Sequence, residues 1–83
     1  MSPMVPTIHM NGTSRGELQT QLMDALQAVD AAVDALRRAC PNGRDYYPQG
    51  DRAIHDALRE HGDRVARLAA VRDELTTIAE AVS

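Results

Sequence analysis

The sequence predicts an all-α protein: an antiparallel two-helix hairpin with a short extended N-terminal arm, assembled into a homo-oligomer. Three observations carry this. Two long apolar stripes repeat at helical spacing on either side of a segment rich in Pro and Gly. Aromatic residues make up 2% of the 83 residues, with no Phe and no Trp, and Ala, Leu and Val dominate. A β-sandwich or barrel packs aromatic and β-branched side chains, so this composition disfavours it. Finally, a chain this short buries only ~60–65% of its unfolded surface. Small domains make up the shortfall with disulfides, a metal or self-association. One cysteine, Cys40, cannot form an intrachain disulfide, and no Cys/His ligand set is visible, so self-association remains.

Residues 1–12 read as an extended arm ending in a turn. Pro3 and Pro6 remove backbone donors, Pro6 pushes Val5 towards extended geometry, and Asn11-Gly12 favours a turn. Residues 13–83 form the hairpin. The first helix, about 14–40, opens on a capping box: Ser14 is followed three residues later by Glu17, just before an apolar run. Its stripe is Leu18, Leu22, Ala25, Val29, Ala32, Leu36 and Ala39, flanked by Leu26, Val33 and Cys40. Gln19, Gln27, Asp30, Asp34 and Arg37 form the exposed face. Arg37 and Arg38 complement the dipole of the last turn, and Pro41 ends the helix. The loop spans 41–50. The second helix, about 51–82, carries Ile54, Leu58, His61, Val65, Leu68, Val71, Leu75, Ile78 and Val82, interrupted by Gly62. That glycine is either a close helix contact or a tolerated defect. Leu26, Val33, Val71 and Ile78 widen the stripes beyond a two-helix seam, and a partner copy is expected to bury them.

The formal net charge is −3, which disfavours a protein that coats DNA or RNA. All nine basic residues are Arg, a planar fork suited to phosphate or carboxylate. No apolar run reaches the ~18 residues of a membrane span. No secretory signal is visible at the N-terminus, and a single free thiol fits a reducing cytosol. Enzyme constellations are missing. His9, His55 and His61 fall on different elements or faces, and there is no HExxH, no P-loop and no CxxC. The chain is therefore read as a non-enzyme that needs no cofactor or metal. Cys40, at the negative end of the first helix dipole, reads as a small packing residue. His61 reads as a satisfied core or interface histidine.

Two polar clusters remain. In the first, Asn11, Gly12, Thr13 and Ser14 precede a helix whose outward amides favour an anion, and Gly12 permits close approach to the backbone. The plainer reading is a capped helix. In the second, Arg44, Asp45, Tyr46 and Tyr47 bring both aromatics beside an Arg that can fork onto phosphate, and Tyr rings stack on bases. The plainer reading has the tyrosines plugging the hairpin's open end and Arg44 pairing with Asp45. Within one hairpin the clusters lie ~40 Å apart. An antiparallel partner would bring one copy's first cluster near the other's second.

The segments Ile8-His9-Met10-Asn11-Gly12-Thr13-Ser14 and Asn42-Gly43-Arg44-Asp45-Tyr46-Tyr47-Pro48 resemble the helical-hairpin domain of phage anti-CBASS and anti-Thoeris cyclic-nucleotide sponges. The resemblance covers roughly residues 7–82. It lacks the sizeable N-terminal β-domain of the longer anti-Thoeris members and has no Lys. It implies a helical homo-oligomer, commonly a hexamer, that sequesters a cyclic di- or trinucleotide or a cyclic ADP-ribose isomer without cleaving it, in the cytoplasm of an infected bacterial host. On that reading Asn11, Gly12 and Thr13, with Ser14 at the cap, meet phosphate or ribose. Arg44 pairs with phosphate, Asp45 orients it, and Tyr46 or Tyr47 stacks on a base. The alternative from another class is a small phage protein–protein inhibitor or assembly chaperone that binds through a helix face and takes no small ligand.

Overall fold

The computed structural model describes residues 2–83; the first residue of the expected arm, Met1, lies outside them. Two α-helices, α1 (Arg15–Arg38) and α2 (Ala53–Val82), pack along one another, with no strand among the described residues. Two contacts across the seam set their antiparallel register. The Arg15 guanidinium reaches the Ser83 carbonyl at 3.5 Å, and Arg72 faces Asp30 at 3.8 Å. The result is an elongated rod of 61 × 23 × 16 Å. Neither helix is long and apolar enough to cross a membrane. Residues 2–9 have no regular secondary structure and a turn follows at 10–12.

Both helices are shorter than the apolar pattern suggests. At the end of α1 the Cys40 amide bonds to the Arg37 carbonyl three residues back, so the last turn tightens and the helix stops two residues before Cys40. Cys40 is exposed, which corrects its reading as a packing residue. At the start of α2, Gly50 has φ +112°, a conformation that favours glycine and cannot enter a helix. Asp51 and Arg52 then turn the chain, and α2 begins at Ala53 rather than at 51.

The seam also runs differently. Val33, placed on the flank by the four-three repeat, is the most buried side chain at 1% exposure, whereas Ala32 and Ala39 are exposed. The half-buried and buried positions of α1 are Leu18, Gln19, Leu22, Ala25, Leu26, Val29, Val33 and Leu36. The expected stripe holds at Leu18, Leu22, Ala25, Val29 and Leu36, but buried Val33 belongs to a second three-four line, Gln19, Leu22, Leu26, Val29, Val33, Leu36, set one residue round at its unshared positions. Gln19, expected on the outer face, lies on that line and is half-buried. On α2, Leu58 and Val71 are 40% and 43% exposed and leave the expected stripe. Half-buried Ala57 and Arg72 take their places. Arg72 can do so because its stem lies along the seam while its guanidinium meets Asp30 at the rim. Val33 therefore belongs to the hairpin's own core and not to a surface awaiting a partner. Val71 and Leu58 are the residues left outside. A Cβ built at Gly62 meets nothing within 4 Å, so within one chain that glycine is a tolerated defect and not a close contact.

His61 is buried at 9% exposure, but its Nε2 has no hydrogen-bond partner. It is a core histidine without being a satisfied one. An unpaired buried nitrogen costs about 1–3 kcal/mol, and Leu has a similar volume. His61→Leu is expected to raise the unfolding free energy in urea by about 1 kcal/mol or more. A clear loss would mean that Nε2 finds a partner beyond the single chain.

Candidate functional site

The first cluster lies at the N-terminal end of α1, where the chain leaves the arm. Ser14 is the N-cap with extended backbone, and its Oγ accepts from the Glu17 amide at 3.2 Å. That is one half of the capping box; the Glu17 carboxylate makes no bond back to the Ser14 amide. Asn11, Gly12 and Thr13 are exposed. The Gly12 amide donates to the His9 carbonyl at 3.2 Å, closing the turn. A Cβ at Gly12 would come within 2.7 Å of the His9 Nε2, so the open space expected above this glycine is occupied by the His9 ring. The ring is on an exposed residue and can swing away. Ser14→Ala removes the cap and is expected to cost ~1 kcal/mol of stability, read from the denaturation midpoint. No change would place the start of α1 elsewhere.

The second cluster lies between the helices and is more ordered than a simple turn. Asn42 Oδ1 accepts from the Arg44 amide at 2.9 Å, and this side-chain bond opens a 3-10 turn over Gly43–Asp45. A second turn, Tyr47–Gln49, follows, with Pro48 within it supplying the fixed φ that suits a tight turn. These turns separate the two tyrosines. Tyr46 is half-buried against the hairpin, whereas Tyr47 is 77% exposed. The plug reading thus describes Tyr46 and fails for Tyr47. Arg44 and Asp45 are both exposed, and among the described residues neither forms an ion pair, so the expected Arg44–Asp45 pair is not made.

Beside Tyr46 lies a cleft of 370 Å³, bounded by Pro41, Gln49 and the first two turns of α2. Asp56, Glu60 and Arg64 project along it. Asp56 Oδ1 accepts from Arg59 at 2.9 Å, and Glu60 Oε1 accepts from Arg64 at 3.4 Å. The sequence reading missed this trio. Its signal was there: Asp56, Glu60 and Arg64 are four residues apart, which places them on one helix face. Only the fold shows that this face borders Tyr46.

No family model matches the chain, and no curated protein or solved structure is similar to it. The two clusters sit at opposite ends of the rod, the first beside the arm and the second at the interhelical loop. Among the described residues no group of three or more His, Cys, Asp or Glu side chains is placed to hold a metal.

Proposed function

We propose that this chain is a non-enzymatic binding protein that self-associates and sequesters a cyclic nucleotide signal, acting by mass action. The observation that carries the reading is the interhelical loop. It holds Arg44 and Tyr47 exposed, with Arg44 free of any ion pair among the described residues, on two hydrogen-bonded turns at the tip of an elongated rod. An unpaired guanidinium and an exposed ring three residues apart on one loop offer a phosphate contact and a base contact. The Asn-Gly-Thr-Ser start of α1 supplies unpaired helix amides at the other tip, which favour an anion. Because the two ends of one chain are so far apart, a shared site needs a second, antiparallel copy.

Self-association is supported by how little one chain buries. Val33, Val82 and His61 are its buried residues among those described, while Leu58, Val71 and Met23 are exposed. Small domains with so thin a core lean on oligomerisation. The resemblance of the two motifs to phage counter-defence sponges supports the ligand class and the setting in an infected bacterium. The experiment is a paired one: light scattering for mass, and a thermal-shift screen against cyclic di- and trinucleotides and cyclic ADP-ribose isomers. A ligand that binds only the folded state raises its melting temperature. An oligomer stabilised by one of these is expected. A stable folded monomer would remove the shared site. An oligomer that responds to no cyclic nucleotide would favour the protein–protein inhibitor.

A further inference from the structure

We infer that the cleft beside Tyr46 receives a ribose of the bound nucleotide, its free hydroxyl donating to Asp56 or Glu60, while the phosphate stays outside on Arg44. The inference rests on the nucleotide-binding reading and narrows it to ribonucleotide ligands.

Size and chemistry both lead there. At 370 Å³ the cleft is in the range of small-molecule sites. Its ionisable lining is two carboxylates against one guanidinium, and that guanidinium, Arg64, is turned onto Glu60. A phosphate in the cleft would find no free cation, because Arg59 and Arg64 already pair the two carboxylates. A group that donates hydrogen bonds needs none. Each carboxylate has two oxygens, and the internal bonds to Arg59 and Arg64 engage Asp56 Oδ1 and Glu60 Oε1. Asp56 Oδ2 and Glu60 Oε2 remain as acceptors. Carboxylate acceptance from ribose hydroxyls is a general way of holding a nucleoside. The two Arg bonds also restrain the carboxylates, which lowers the entropy lost when a ligand is bound. Tyr46, half-buried along the cleft, provides the wall against which a sugar or base edge can pack. Arg44 lies two residues before Tyr46 and outside the cleft lining, so a phosphate can reach it without entering.

The test is calorimetry on the full chain with cyclic di-AMP, cyclic tri-AMP and cyclic ADP-ribose, each beside its deoxyribose counterpart. Losing hydrogen bonds to a charged acceptor is expected to weaken the deoxy forms by about tenfold or more. Asp56→Asn, checked for helicity by circular dichroism, is expected to shrink that ratio; should it fold poorly, Glu60→Gln serves the same purpose. Equal affinity for ribo and deoxy forms overturns the ribose assignment and leaves nucleotide binding standing. Competition by spermidine at similar affinity would reassign the cleft to cations and overturn it too. No binding by any of the nucleotides overturns both readings together.

Discussion

Val33→Asp is expected to abolish the folded hairpin, seen as loss of the helical circular-dichroism signal at a temperature where the parent chain is folded. Val33 is 1% exposed, so a carboxylate there would be buried without a partner. An uncompensated buried charge costs on the order of 4 kcal/mol, and small domains have little stability in reserve. The informative companion is Ala32→Asp. One residue earlier on the helix the side chain is exposed, and the same substitution is expected to change stability within about 0.5 kcal/mol. The pair separates two helix faces 100° apart. Equal losses at both positions would mean that Ala32 is also covered, by another copy of the chain. A mild effect at Val33 would contradict a seam that buries it.

Arg44→Ala carries the second large expectation, on binding and not on folding. Arg44 is exposed and makes no side-chain bond within the chain among the described residues; its backbone amide, not its guanidinium, is what Asn42 holds. Removing the side chain should leave stability within about 0.5 kcal/mol of the parent. If the guanidinium holds a phosphate, affinity for the cyclic nucleotide falls by about 1.5–3 kcal/mol while the oligomer keeps its mass. Calorimetry and light scattering on the same samples check both statements. Full-strength binding by the variant would take the loop out of the site. Asp45 makes no pair with Arg44 in the free protein, so an orienting role for Asp45 would begin only once ligand is bound.

The hairpin was legible because its signals are local. A Ser three residues before a Glu caps a helix through atoms a few bonds apart, and the Ser14–Glu17 contact forms as the spacing suggests. Helical segments free of aromatics, with apolar residues three and four apart, favour helices over strands. The site was legible only as residue types. Arg44 and Tyr47 stand exposed as a binding loop would need, but Tyr46 turns inward and His9 covers Gly12. Neither orientation follows from spacing, because each depends on where the backbone leads after a turn.

By itself, then, the sequence determined the two helices, the turn chemistry between them and the cap that starts the first. Those depend on interactions within a few residues. Which residue of each stripe faces the other helix was decided only by the tertiary structure. Val33 displaced Ala32, and Arg72 displaced Val71, because the seam follows the packing of two surfaces and not the tally of apolar letters on either one. The same packing buried His61 beyond reach of a partner for its Nε2, and set Asp56, Glu60 and Arg64 beside Tyr46. A side chain's surroundings are shared between distant segments, and a shared boundary is fixed only when both sides are in place.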